Sequence, residues 1–342
     1  MSELIGKTPI LRVPFRNNGV ELFIKLEVFN PCGSMKDRMA LSMLDAVERR
    51  SGRHDGLRIV ESSSGNTATA LSMLCAEREY KFTAVMDSHA APDKVSAVQA
   101  LGGEVMLIGG GGKLVTAERD EIAHQLADQD EWTYCTEQHD NPANAEGYAN
   151  LAQELLDDLE GSIDCLIGAI GTGGSLCGTA RELKKSLPSI RIVGVEPEGS
   201  IIFGGPAKSY LQSGTGTPDG ANVGLVIDYD VIDEGRKVSD PNAFATCRVL
   251  AENFGLMVGG SAGGSIFEAI QYCLDAPRGS RVVTLACDTG FKYMDSIFKD
   301  DWLYNKIPEI DMYRNSIHHL IVHNTGLQEN KSLARIRRMK SS

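Results

Sequence analysis

The sequence predicts an α/β protein built as two three-layer α/β domains with mostly parallel sheets. Two observations carry this reading. Short apolar, β-rich runs alternate with helical patterns along most of the 342 residues, and this β-α-β rhythm implies parallel strands covered by helices on both faces. With 42% hydrophobic residues the chain has enough apolar mass for one large or two medium cores, and two such sheets fit the length.

Taken in order, the apolar run Phe23-Ile24-Lys25-Leu26 precedes a tight turn and a helix opened by Lys36. Strands are expected at 58–60, 82–86 and 104–108, with helices at 67–79 and 92–101 and another within 116–129. The rhythm resumes with a helix at 145–159, a strand at 164–170, a helix at 176–185 and a strand at 191–195. Residues 200–230, with Gly204-Gly205-Pro206 and Gly214-Thr215-Gly216-Thr217-Pro218-Asp219-Gly220, read as a long loop, a kind that is often functional. Helices at 241–253 and 264–273 and a strand at 281–286 follow. After about Asn305 the rhythm is lost, and 306–342 reads as a C-terminal tail.

A formal charge of −12 argues against binding a phosphate backbone. The basic cluster Arg335-Ile336-Arg337-Arg338-Met339-Lys340 reads as a solvated tail. Eight dispersed cysteines without a Cys-x-x-Cys pair read as reduced, mostly buried thiols of a cytoplasmic protein. No signal peptide is expected at the start of the sequence, and no apolar run approaches about 18 residues, so no membrane span is expected.

Four segments could carry chemistry. Asn30-Pro31-Cys32-Gly33-Ser34-Met35-Lys36-Asp37-Arg38 aims one amine from a turn at a helix start. Such a lysine is either a solvated surface charge or, if desolvated, a Schiff-base partner for a carbonyl cofactor. Glu61-Ser62-Ser63-Ser64-Gly65-Asn66-Thr67 follows a strand and opens a helix, so it suits an anion site or plain helix capping. Gly171-Thr172-Gly173-Gly174-Ser175 has the same setting and could wrap a phosphate. A dinucleotide fingerprint would need glycine at Leu176, and a P-loop ending at Gly112-Lys113 would need glycine at Leu107, so a lone phosphate fits better. Gly259-Gly260-Ser261-Ala262-Gly263-Gly264 places a neutral hydroxyl at a helix start, as a cap or as a partner for a cofactor heteroatom.

Together with Ile5-Gly6-Lys7-Thr8-Pro9-Ile10, Gln138 with Asn141-Pro142-Ala143-Asn144, Gly194-Val195-Glu196-Pro197-Glu198-Gly199-Ser200 and Asp288-Thr289-Gly290-Phe291-Lys292-Tyr293, these segments make the chain resemble a known family. It is that of the fold type II pyridoxal-phosphate β-replacing enzymes, which have a tryptophan synthase β-like fold. Cysteine synthases, cystathionine β-synthases and diaminopropionate-pathway synthases belong to it. The likeness covers about residues 4–304.

The resemblance implies that Lys36 binds pyridoxal 5′-phosphate covalently and then removes the substrate Cα proton. It implies that Asn66 meets the ring's 3′ oxygen, Gly171, Thr172, Gly173, Gly174 and Ser175 cradle the phosphate, and Ser261 faces the pyridine nitrogen. Ser63, Ser64, Thr67 and Gln138 would grip the substrate carboxylate. No metal is implied. The expected organisation is a smaller mobile domain at 36–144 and a larger cofactor-binding domain from 1–35 plus 145–305, in a homodimer that acts on small amino acids. The expected reaction is β-replacement on O-acetylserine or O-phosphoserine through an aminoacrylate, with sulfide or another thiol as nucleophile. An amine such as glutamate, cystathionine synthesis and threonine dehydration are enzyme alternatives, and a degenerate partner-binding relative is the non-enzyme one. The sequence departs from the family at Ser62-Ser63-Ser64, where the family has serine-threonine-serine, at Ala68, which replaces a usual glycine, and at Cys287, where many relatives have proline. It also lacks the short Gly-Ile-Gly element of the long loop, whose place falls to Gly220-Ala221-Asn222-Val223-Gly224.

Overall fold

The computed structural model describes residues 1–53, 56–88, 90, 92–109 and 116–327. The basic cluster at 335–340 and the Gly112-Lys113 pair lie outside them. The strands are β1 (Ile10–Pro14), β2 (Glu21–Lys25), β3 (Arg58–Ser62), β4 (Lys81–Asp87) and β5 (Glu104–Ile108). β6 (Thr133–Cys135), β7 (Cys165–Ala169), β8 (Arg191–Pro197), β9 (Glu234–Val238) and β10 (Arg281–Leu285) complete them. The helices are α1 (Lys36–Ser51), α2 (Asn66–Arg78), α3 (Pro92–Ala100), α4 (Thr116–Ala127), α5 (Pro142–Glu146) and α6 (Ala149–Asp158). They continue with α7 (Gly174–Ser186), α8 (Asp240–Phe254), α9 (Gly260–Asp275), α10 (Asp300–Lys306) and α11 (Ile310–Asn324). No helix among the described residues is long and apolar enough to cross a membrane.

Two sheets organise these elements. A six-stranded sheet has the order β1-β2-β10-β7-β8-β9, and a four-stranded sheet has the order β5-β4-β3-β6. Every pairing is parallel except β1 with β2. β7 is buried along its whole length because β10 and β8 flank it and helices cover both faces. β5, at the edge of the smaller sheet, has no fully buried residue.

The expected helix at 145–159 is two helices. Asn141 caps α5 by accepting the Ala143 N–H at 3.0 Å, with Pro142 in the first turn. The break falls at Gly147, where a Cβ would meet the Arg38 carbonyl at 2.8 Å, so α1 crosses there and only glycine fits. The first part of the C-terminal tail read at 306–342 carries a helix. α11 packs on α8 and buries Ile310, Ile317 and Ile321, which share one helical face. The chain then closes onto β1 through Gly326 N–H to Pro14 C=O at 2.7 Å. β1, β6 and β9 were not expected. β9 reads Glu-Gly-Arg-Lys-Val, a polar edge strand without an apolar run.

Candidate functional site

Lys36 is the first residue of α1, and the chain around it is held from several sides. Met35 N–H donates to Cys287 C=O at 2.9 Å, Thr289 N–H to Gly33 C=O at 3.0 Å, and Tyr148 Oη to Met35 C=O at 3.1 Å. Two residues on, the Arg38 guanidinium donates to both carboxylate oxygens of Glu27 (2.7 and 2.9 Å) and of Glu154 (2.8 and 2.9 Å). These bonds fix α1 against the 3-10 turn Glu27–Phe29 after β2 and against α6, and with them the direction of Lys36. Lys36 Nζ has no hydrogen-bond partner among the described residues. Burial lowers its pKa, and the neighbouring Cys287 and Asp288 only partly oppose this.

Cys287 stands beside Lys36 and is hydrogen-bonded to the Ser261 side chain; burial pushes its thiol up to about 12, so it stays neutral. Ser261 lies inside α9 after the cap position Gly259, and no side-chain cap bond forms there, so the capping reading of Ser261 does not hold. It is buried, 6% exposed.

Asn66 opens α2 after Gly65, again without a side-chain cap bond. Its Nδ2 donates to Asp288 Oδ2 at 2.8 Å, and Lys292 Nζ donates to its Oδ1 at 2.6 Å. Tyr293 Oη donates to the same Asp288 oxygen at 2.7 Å. Asp288 Oδ1 is buried without a partner. Lys36 and Lys292 are both half-buried with lowered pKa and both feel Asp288, but the amine of Lys292 is engaged and that of Lys36 is not.

The loop 171–175 runs from the end of β7 into α7. Gly173 has φ +87°, and a Cβ on Gly174 would lie 1.9 Å from Asn144 Oδ1. α7 begins without a side-chain cap, and the first backbone bond joins Cys177 N–H to Gly173 C=O at 2.8 Å. Gly174 N–H donates to Thr172 Oγ1 at 3.4 Å, and the N–H groups of Ser175 and Leu176 are left for an external acceptor. Thr172 and Ser175 are buried beside them, and Thr172 Oγ1 accepts Asn144 Nδ2 at 3.0 Å.

On the other side, Thr67 Oγ1 donates to Gln138 Oε1 at 2.8 Å, and Asn144 Nδ2 also donates to Gln138 C=O at 2.6 Å. Thr67, Gln138, Asn144 and Thr172 thus form one connected row. Ser63 Oγ accepts Gly65 N–H at 3.3 Å, a local contact. Ser64 Oγ accepts Arg119 Nη1 at 2.9 Å, and Arg119 Nη1 also donates to Asp87 Oδ2 at 2.6 Å.

Sequence reasoning passed over three groups. Arg119 of α4 is 9% exposed with an unpartnered Nε, and no local motif marks it. His139, next to Gln138, is half-buried with its pKa lowered, first by burial; Lys36 and Arg119 add to this and Asp120 and Asp140 oppose it. The Gly224 backbone packs on it, and Val226 N–H donates to His139 C=O at 3.1 Å, so residues 224–226 border this side. Glu61 is 2% exposed, and burial lifts its carboxyl to about 8 despite hydrogen bonds from Thr136 and the Gln138 N–H.

Residues 1–288 match the family model described as "Pyridoxal-phosphate dependent enzyme". A protein of Sinorhizobium fredii provisionally named a cysteine synthase is 44% identical over 306 residues, covering 89% of this chain and 91% of the relative. The N-(2-amino-2-carboxyethyl)-L-glutamate synthase of Cupriavidus metallidurans is 35% identical over 314 residues, covering 88% and 90%. Among solved structures, the O-acetylserine-dependent cystathionine β-synthase of Helicobacter pylori superposes with a TM-score of 0.79 at 30% identity, covering 86% of this chain and 96% of that one. The residues present suit such a cofactor: an unpartnered, desolvated amine, a helix start with free N–H groups, and a neutral buried hydroxyl.

Proposed function

Because the chain belongs to the pyridoxal-phosphate-dependent enzyme family, with the fold of its type II synthases, we propose that it catalyses β-replacement on an O-activated serine. An acetyl or phosphate ester leaves the β-carbon, and sulfide or another thiol takes its place. The observation that carries this reading is the desolvated, unpartnered Lys36 amine near Cys287 and Asp288, with Ser261 hydrogen-bonded to Cys287.

In this proposal Lys36 tethers the cofactor and then takes the substrate Cα proton on Nζ. Burial keeps a larger share of the amine neutral near pH 7 than an exposed lysine would have, as a base requires. When bound, the cofactor supplies the electron sink for this deprotonation. Gly171, Thr172, Gly173, Gly174 and Ser175 hold its phosphate with the free N–H groups of α7 and two hydroxyls. Ser261 meets the ring nitrogen as a neutral hydroxyl, and Asn66 meets the ring oxygen. Ser63, Ser64, Thr67 and Gln138 take the substrate carboxylate, with Arg119 at 2.9 Å behind Ser64 adding positive charge. The smaller sheet, whose strands all fall within 36–144, moves inward over the substrate and excludes water. A cytoplasmic homodimer belongs to the same reading, which equilibrium sedimentation tests.

An amine nucleophile is the second reading. It is favoured by the 35% identity to a synthase whose named product carries a three-carbon amino-acid unit on the glutamate nitrogen. Incubation with O-acetylserine or O-phosphoserine, each with sulfide, a longer thiol or glutamate, followed by mass spectrometry of the products, separates the readings. Failure to release acetate or phosphate from either serine ester overturns both.

A further inference from the structure

Asn66 is held at both ends of its amide by charged groups from the other sheet's side of the molecule. Lys292 and Asp288 lie in the segment after β10, whereas Asn66 opens the helix after β3. An ammonium can only donate and a carboxylate can only accept. The pair therefore sets the amide one way round, with Oδ1 toward Lys292 at 2.6 Å and Nδ2 toward Asp288 at 2.8 Å. One N–H on Nδ2 and one lone pair on Oδ1 remain.

The anchor behind this arrangement is stiff. Asp288 C=O accepts Gly259 N–H at 3.1 Å, Tyr293 Oη donates to its carboxylate at 2.7 Å, and Asp288 pairs with Ser34 across a short bridge. A Cβ at position 259 would lie 2.2 Å from Asp288 Oδ1, so the carboxylate is wedged against glycine backbone. Placing a carboxylate and an ammonium at one neutral amide removes both from much of their water, which is unfavourable unless the geometry they impose is used.

We propose that Lys292 and Asp288 are positioning residues that form a clasp on Asn66. The clasp joins the two halves of the molecule at the mouth of the site and leaves one Asn66 N–H for the cofactor's ring oxygen. The joining role stands on the hydrogen bonds alone; the aiming role rests on the proposed contact between Asn66 and the cofactor.

The test uses the cofactor-loaded full chain and the variants Lys292→Met, Lys292→Gln, Lys292→Arg and Asn66→Ala, with two readouts. The first is hydrogen exchange at 62–67 and the start of α2. Loss of a charge-assisted bond between the halves should speed it about tenfold in Lys292→Met, and Lys292→Arg should restore most of the protection. The second is the ratio of the bound cofactor's long- and short-wavelength absorption bands, which should shift in Lys292→Met in the same direction as in Asn66→Ala. Parental exchange in Lys292→Met overturns the joining role. A shifted ratio in Asn66→Ala with a parental ratio in Lys292→Met overturns the aiming role. An unshifted ratio in Asn66→Ala overturns the Asn66–cofactor contact and the aiming role with it, while exchange still decides the joining role. If Lys292→Met does not fold, Lys292→Gln, which keeps a donor but no charge, is read by the same criteria.

Discussion

The loops at 171–175 and 62–67 each follow a parallel strand and open a helix, yet they are built from different chemistry. In the first, glycines dominate and the donors are backbone N–H groups at the start of α7, fixed by the packing of Gly174 on Asn144. In the second, side chains dominate and are already tied: Ser64 to Asp87 and Arg119, Asn66 to Asp288 and Lys292, Thr67 to Gln138. Backbone donors cannot swing away, so the glycine loop suits a group that stays bound. Side-chain partners can be exchanged, so the serine loop suits a group that arrives and leaves. The strands match this division. β7 is wholly buried, while β5, in the serine loop's sheet, leaves residues to solvent.

Lys36 is a test case for both halves, because it is the group each must reach. Lys36→Ala should lower turnover by roughly 10⁴-fold or more with the circular dichroism spectrum unchanged. Borohydride reduction of the parent followed by peptide mass spectrometry should place the cofactor on Lys36. An adduct on Lys292 would move the tether to the other half-buried amine.

The division itself is sharpened by paired variants. Removing both Thr172 and Ser175 hydroxyls should weaken cofactor binding by about a hundredfold or more, seen as loss on dialysis. Removing Ser63 and Thr67 hydroxyls should instead raise the substrate KM and leave cofactor retention near parental. Equal cofactor loss in both pairs would erase the distinction.

The two sides of the site also differ in titration. Glu61, on the strand before the serine loop, has its carboxyl raised to about 8 from an ordinary 4.5, chiefly by burial. The folded state therefore holds that proton more tightly than the unfolded chain. The stability this adds is complete below about pH 4.5 and is lost as pH rises toward about 8. Glu61→Gln should remove that decline and be the more stable protein at pH 9, by an amount on the order of a few kcal/mol. Denaturant titrations of parent and variant at pH 5 and pH 9 measure it, and parallel curves would contradict it.

The smallest effect concerns motion. An amino-acid substrate should slow hydrogen exchange several-fold at 62–67 and near Gln138, and leave 171–175 unchanged, because the glycine loop is already fixed. Its carboxamide analogue should not. Equal protection by both compounds would mean that the serine loop does not read the carboxylate.

Much of this architecture is legible in the chain. Alternating apolar runs and helical patterns mark the parallel strands β3, β4, β5, β7, β8 and β10, most plainly β7, which is buried on both faces and apolar throughout. Glycine-rich and serine-rich turns at strand-to-helix junctions mark both loops, because free helix N–H groups and tight turns favour those residues. The edge strand β9 is silent in sequence because it reads Glu-Gly-Arg-Lys-Val, whereas the edge strand β5 carries the apolar run Val105-Met106-Leu107-Ile108. The break at Gly147 depends on α1 crossing at that point. Equally silent are Arg119 behind Ser64, His139 beside Lys36, and the Lys292–Asn66–Asp288 clasp. Local pattern reports what one segment needs from its neighbours in the chain. Charge pairing across 222 to 226 residues of separation is set only when the two sheets come together, and that decided which lysine kept a free amine.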